Sequence, residues 1–188
     1  MDSDLKTDYL RKSLGDMGIC LDEKAANDFV RFHNFLMLWN SKLNLTRVTD
    51  WEESVKRHYL DSASISLGYS FSAQSNPKEV KVLDVGSGAG FPGIPLKILF
   101  PEIHLTLLDS VVKKTDFLER AVSNLGLDLI RVKGERAETL ARNDIHRASY
   151  DLVVARAVSK LNVLAELTIP FCKIGGLIIA MKGRKVES

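Results

Sequence analysis

Apolar residues recur at helical spacing along the first sixty positions. Leu5, Tyr9, Leu10, Leu14 and Met17 fall near one face of a predicted helix over 5–17, which Gly18 ends. A longer helix is predicted over 22–42, with Ala26, Phe29, Val30, His33, Leu36, Met37 and Trp39 on its apolar side. Asp50 reads as an N-cap with Glu53 in the capping-box position, opening a third helix that runs to about Tyr59. The polar stretch from Ser70 to Lys78 reads as a linker.

Past that stretch the period changes. Val80–Val85, Ile103–Asp109, Leu127–Val132, Tyr150–Ala155 and Leu177–Met181 are short apolar runs rich in β-branched residues, and helical segments at 94–100, 112–125, 135–142 and 158–171 separate them. Strand and helix in strict alternation predict an α/β fold with a parallel sheet covered on both faces. The organisation expected is a helical cap over 1–69, a linker over 70–79 and an α/β domain over 80–188.

Composition narrows this only a little. The chain has 188 residues, 45% hydrophobic and 27% charged, which suits an ordinary globular protein with a real core. Net charge is +2, but ten basic residues face twelve acidic ones up to position 80, and sixteen face twelve beyond it. The mildly basic second half permits RNA contact without demanding it. Cys20 and Cys172 have no metal-ligand spacing and sit among apolar neighbours, so two buried free thiols and no metal are expected. The acidic, polar start and the shortness of every apolar run predict a cytoplasmic protein with no membrane span, here expected as a monomer.

Chemistry concentrates where the first strand of the second part ends. Val82-Leu-Asp-Val-Gly86-Ser-Gly88-Ala-Gly90-Phe-Pro-Gly93 follows that strand and opens a helix. Such a turn needs glycine where the backbone takes positive φ and approaches a ligand. Gly88, Gly90 and Gly93 satisfy GxGxxG, a weak signal, but a dinucleotide fingerprint places its first glycine at the strand end. Gly86 holds that place, and the third glycine of that register would be Phe91. The full string matches the nucleoside-binding motif of class I methyltransferases better, in which the acid before the turn, here Asp84, organises the loop. The next strand ends in Asp109, 23 positions after Gly86. A carboxylate there accepts from both ribose hydroxyls of a nucleoside, whether S-adenosylmethionine or NAD. Ala137 and Glu138 follow the third strand and are placed to lie along an adenine. Arg156 stands at the tip of the fourth. No Asn/Asp-Pro-Pro-aromatic string and no cysteine stand there, which disfavours methylation of an exocyclic amine and thiolate chemistry. A cationic, polar site remains, suited to a nucleophile that needs no deprotonation.

The chain resembles the RsmG (GidB) family of bacterial methyltransferases, which modify guanine N7 in 16S ribosomal RNA. The strings that carry the resemblance run along nearly the whole chain: Trp39-Asn-Ser-Lys-Leu-Asn44-Leu-Thr46, Arg57-His58-Tyr-Leu-Asp61-Ser62, the glycine turn through Pro95, Leu107-Leu-Asp109-Ser110, Arg136-Ala137-Glu138, Ala155-Arg156-Ala157 and Met181-Lys182-Gly183. The resemblance implies a Rossmann-like class I methyltransferase with an N-terminal helical cap. Because the pattern ends after a fifth strand, the last two strands of that fold are expected to be missing. It implies S-adenosylmethionine as cofactor, held by Gly86, Phe91, Ala137, Glu138 and Arg156, with Asp109 on the ribose; Gly88 and Gly90 complete the loop.

The implied substrate is 16S ribosomal RNA or the small-subunit particle. Asn44, Thr46, Arg57, His58 and Asp61 are then expected to border the guanine pocket, with Arg156 and Lys182 across from them. Guanine N7 carries a lone pair and no proton, so positioning by Arg156, Lys182 and Asn44 is expected in place of a general base. Phosphate contacts are expected from Arg120, Arg184 and Lys185, whereas Lys113 and Lys114, on the same helix as Arg120, read more readily as a solvated basic face. Two other readings stay open: a non-catalytic RNA-binding or assembly protein that keeps a nucleoside pocket, and an NAD-dependent oxidoreductase using Gly88, Gly90 and Gly93.

Overall fold

The computed structural model describes residues 2–71, 79–156 and 160–181. The N-terminal part is helical. Helix α1 spans Ser3–Gly15 and α2 spans Glu23–Leu43, the latter opened by Asp22, whose carboxylate accepts from the Ala25 amide at 2.7 Å. A winding segment follows, made of α3 (Trp51–Ser54), a π-helical turn (Val55–Tyr59), α4 (Leu60–Ala63) and α5 (Ile65–Gly68). Asp50 caps α3 as expected, accepting from the Glu53 amide at 3.0 Å. Glu53 does not close the reciprocal bond of a capping box; its Oε1 pairs with Arg57 Nε at 3.0 Å instead.

The second part alternates β1 (Lys81–Val85), α6 (Gly93–Leu99), β2 (His104–Leu108), α7 (Val112–Leu125), β3 (Ile130–Lys133), α8 (Ala137–Leu140), β4 (Tyr150–Arg156), α9 (Leu161–Thr168) and β5 (Cys172–Met181). Among the described residues the sheet has five strands, all parallel, in the order β3-β2-β1-β4-β5. The chain winds outward from β1 to β3 and then returns to the other side of β1. Strand order therefore reverses between β1 and β4, and such a reversal opens a crevice at the carboxyl ends of the strands.

Side-chain alternation splits the strands between two cores. Val82, Leu105, Leu107, Leu152 and Val154 face the cap helices, α6 and α7, and share one buried cluster with Leu10, Leu14, Phe29, Phe32 and Tyr59. Leu83, Val85, Leu108, Val153 and Ala155 face the other way, against Leu140, Leu164 and Phe171. The expected cap and α/β part therefore pack on a common core. Leu5, predicted on the buried face of α1, is 60% exposed. The cysteines also differ from expectation: Cys20 is exposed and Cys172 only partly covered, because each lies at a rim of the packed layers. Among the described residues no helix is long and apolar enough to cross a membrane, and no cluster of three potential metal ligands occurs.

Candidate active site

Sheet register assembles the site. Val85 pairs with Leu108 on one side and with Ala155 on the other, so Gly86, Asp109 and Arg156 each stand one residue past a common level. Leu108 in turn pairs with Lys133, which brings the loop leading to Glu135, Ala137 and Glu138 to the same end of the sheet. These segments enclose a cleft of about 320 Å³ lined by Gly86, Asp109, Lys114, Glu135, Ala137, Glu138, Arg156 and Leu167, among others.

The glycine loop closes on itself. Gly86 and Ser87 donate their amides to the Leu108 carbonyl at 2.7 and 3.0 Å, and Gly90 and Phe91 donate theirs to Ser87 at 2.7 and 3.1 Å. Gly88 N–H is held by Asp109 Oδ2 at 2.9 Å, while the other carboxylate oxygen accepts from Val111 N at 2.9 Å. Lys114 Nζ lies 3.6 Å from the same carboxylate. Gly86 sits at φ +73° and Gly88 at φ +56°, the left-handed region in which glycine is favoured.

Asp84 shares the strand parity of Val82 and therefore points beneath α6, not into the cleft. It is fully buried, and its Oδ2 accepts from the Gly93 amide at 3.0 Å. Gly93 is required there, since a Cβ would lie 2.8 Å from Asp84 Oδ2 and 2.4 Å from Leu107 Cδ2. Asp84 Oδ1 has no hydrogen-bond partner among the described residues, and burial pushes its pKa up to about 7 against the pull of the Gly93 bond. The start of α6 is thus taken by the protein's own acid.

Arg156 joins the cleft to the cap. Its Nη1 donates to the Arg57 carbonyl at 3.1 Å, lies 3.2 Å from His58 Nδ1 and stands 3.7 Å from Asp61 Oδ2. The guanidinium lies 4.9 Å from the centre of the Phe91 ring, and the His58 ring packs on the same phenyl at 4.4 Å. On its far side His58 Nε2 lies 3.1 Å from Thr46 Oγ1. Burial, helped by the neighbouring Arg156 charge, holds the imidazole pKa down at about 4, so it is neutral at physiological pH.

The structure thus brings Gly86, Asp109, Ala137, Glu138 and Arg156 together around one cleft, and Arg57, His58 and Asp61 around Arg156. Asp84, Gly88, Gly90 and Phe91 lie behind that lining. The missing side chain of Gly90 faces Ile94 Cδ1, which a Cβ would approach to 2.5 Å, and Phe91 is 3% exposed beneath Arg156. Asn44 is an exposed residue with φ +51° that ends α2. Lys113 is exposed, whereas Lys114 turns toward Asp109. Lys182, Arg184 and Lys185 lie outside the described residues. Glu135 and Leu167 line the cleft without any mark in the sequence, and Asn40, which clamps Thr46, was equally unmarked except as part of a string.

Comparisons with known proteins bear on the family and the fold. The family profile described as rRNA small subunit methyltransferase G (GidB) matches residues 25–188. A protein of Roseiflexus castenholzii named ribosomal RNA small subunit methyltransferase G is 43% identical over 180 residues, covering 96% of this chain and 74% of the relative. One of the same name from Bacillus cytotoxicus is 41% identical, with 95% and 73% covered. Among solved structures, one from Staphylococcus aureus assigned as a caffeoyl-CoA O-methyltransferase superposes with a TM-score of 0.56 at 15% identity, covering 79% of this chain and 65% of that one. Coclaurine N-methyltransferase, solved with N-methylheliamine and SAH, superposes with a TM-score of 0.51 at 16% identity, covering 94% and 58%. These two likenesses establish the class I methyltransferase fold, and the sequence matches establish more: the chain belongs to the rRNA small subunit methyltransferase G (GidB) family.

Proposed function

We propose that this protein is a cytoplasmic, monomeric S-adenosylmethionine-dependent methyltransferase that modifies guanine N7 of 16S ribosomal RNA in the small ribosomal subunit. Family membership supports the reaction class and the RNA; the choice of N7 rests on the resemblance. The observation that carries the cofactor reading is the state of the glycine loop. The amides of Gly86, Ser87, Gly88, Gly90, Phe91, Gly93 and Ile94 are all committed within the protein. A dinucleotide would need several of them for its pyrophosphate. With Asp84 already seated against the first amide of α6, an NAD-type ligand finds no anion cradle, whereas a phosphate-free nucleoside needs none.

The residues present fit that nucleoside. Asp109, fixed by two amides, presents a carboxylate at the ribose position, and the loop before Glu138 supplies a wall for the adenine. S-adenosylmethionine, when bound, supplies an electrophilic methyl group on a sulfonium. The protein's part is to hold, orient and keep water out. Guanine N7 offers an in-plane lone pair without a proton, so no side chain has to remove one. Arg156, which lines the cleft and reaches Asp61 and His58, is placed to donate to the Hoogsteen edge of an extruded guanine, and fixing that edge reduces the entropic part of the barrier. Lys182 and Asn44 are proposed as further donors. Arg57, His58, Asp61 and Arg184 are proposed to contact the RNA around the base.

Calorimetric titration with S-adenosylmethionine, with NAD as control, tests the pocket. Saturable binding of the first alone, weakened by Asp109→Ala, is expected, and binding of NAD instead would end the reading. Transfer of labelled methyl to small subunits lacking the modification tests the reaction. Arg156→Ala is expected to lower kcat/KM on such subunits by about 10²-fold. Binding of RNA with no transfer by a folded, cofactor-loaded sample would favour the assembly-protein reading.

A further inference from the structure

Four polar residues form a continuous hydrogen-bonded run that ends on Arg156; the first has no place in the site as read so far, and the second only that of a residue expected at the border of the guanine pocket. Asn40, in the last turn of α2, clamps the backbone of Thr46 from both sides: its Nδ2 donates to the Thr46 carbonyl at 2.9 Å, and its Oδ1 accepts from the Thr46 amide at 2.8 Å. Two bonds from one rigid amide fix the position of Thr46 and with it the hydroxyl. Thr46 Oγ1 accepts from Val48 N at 3.1 Å and meets His58 Nε2 at 3.1 Å. His58 Nδ1 then faces Arg156 Nη1 at 3.2 Å and the Arg57 carbonyl at 3.0 Å. All four are half-buried and the His58 ring packs on Phe91, so the run is packed, not a surface chain.

A guanidinium has only donors to offer. Nη1 carries two hydrogens, and two acceptors lie in reach: the Arg57 carbonyl and, if its proton is elsewhere, His58 Nδ1. With the imidazole proton on Nε2, that proton goes to Thr46 Oγ1 and the lone pair on Nδ1 faces the cation; with the proton on Nδ1, the ring donates to the Arg57 carbonyl and the Thr46 hydroxyl donates to Nε2. In either case the Thr46 hydroxyl holds the Nε2 edge of the ring while the Nδ1 edge meets the Arg57 carbonyl and the cation. We propose that Asn40 and Thr46 are positioning residues for the methyl transfer, which hold the His58 ring through its Nε2 edge and thereby fix the guanidinium of Arg156 between the cofactor cleft and the cap. The role is a consequence of the π-helical turn at Val55–Tyr59, which brings the Arg57 carbonyl and the His58 ring to the same cation. The inference rests on the reading of Arg156 given above.

The first test is long-range ¹⁵N–¹H correlation on the full chain, which reports histidine tautomers, with His58 assigned by loss of its signals in His58→Gln. The His58 ring signals are expected to keep one tautomer and one set of shifts in Thr46→Ser, and to shift or broaden in Thr46→Val. Ring signals unaltered in Thr46→Val would overturn the proposal. Kinetics give the second readout. Thr46→Val is expected to lower kcat about tenfold on methyl-deficient small subunits, Thr46→Ser to restore it, and neither to move thermal stability enough to account for the change. If Arg156→Ala impairs transfer while Thr46→Val leaves both kcat and the His58 signals intact, the proposal falls and the reading of the site stands. If Arg156→Ala is itself without effect, that reading falls with it.

Discussion

Gly88 and Gly90 sit two positions apart in one loop and carry different loads. Gly90, at φ +89°, is packed against Ile94 and Leu118, whereas the nearest atom to a Cβ on Gly88 is a carbonyl oxygen at 3.8 Å. Gly90→Ala is therefore expected to cost about 2–4 kcal/mol, from backbone strain plus overpacking, and Gly88→Ala only about 1 kcal/mol, in urea unfolding followed by circular dichroism. Asp84 gives a second prediction. Its pKa is about 7 in the fold and lies well below that in the unfolded chain, so the fold binds the extra proton between these values and loses stability as pH rises through them. Asp84→Asn removes that slope. Its stability relative to the parent is expected to increase from pH 4 to pH 7, by at most about 1.4 kcal/mol per pH unit. At this scale the sequence was informative where a residue is marked by its place at a strand end, as Gly86, Asp109 and Arg156 are. It was silent where the role arises from parity or packing: the burial of Asp84 beneath α6, and the separation of Gly90 from the cleft, depend on which neighbour fills the space.

Element boundaries were legible to within a few residues, and the exceptions have physical reasons. Strand β5 begins at Cys172, five positions before the apolar run that predicts it, because Gly175 and Gly176 interrupt the hydrophobic pattern without ending the pairing; the register with β4 slips between Tyr150 and Leu152. The π-helical turn in the third helical segment leaves no periodic trace, being a single turn. A further element-scale feature is Lys97 in α6. Only 1% exposed, it donates to the carbonyls of Pro101 and Ile103, both at 2.6 Å, and so ties the end of α6 to the entry of β2. Nothing in the sequence marks it. Lys97→Met keeps the volume and removes both donors, leaving a buried carbonyl unpaired; a loss of about 1–3 kcal/mol is expected in the same unfolding assay, with cofactor affinity unchanged in the surviving fold.

The whole molecule is held by a core that the sequence did not foretell. Hydrophobic periodicity separates a helical cap from an α/β part, yet Leu10, Phe29 and Tyr59 of the former lie in one cluster with Val82, Leu107 and Val154 of the latter. Both tryptophans, Trp39 and Trp51, belong to the N-terminal helices, while the sheet dominates the second part. Tryptophan fluorescence and far-ultraviolet circular dichroism are expected to give coincident urea transitions, and two separate midpoints would show that the parts unfold independently. Acid is the weak side of this shared core. Burial keeps His33 and His58 at pKa values near 4, against about 6.5 unfolded, so the unfolded chain takes up protons that the fold refuses as pH falls from 6.5 toward 4. Asp84 opposes them with one group against two. The urea midpoint is expected to drop across that window, and to drop less in a His33→Gln, His58→Gln double variant. The bridge from Arg156 to Arg57 and His58 has a last consequence, one of timing. Its partners lie 99 and 98 residues apart in the chain. While the protein is being made, cap, glycine loop and Asp109 all emerge before the cation that links them. On the role proposed for Arg156, a nascent or prematurely ended product short of β4 holds a nucleoside loop without its cation, and is expected to transfer no methyl group to RNA before the sheet has closed around β1.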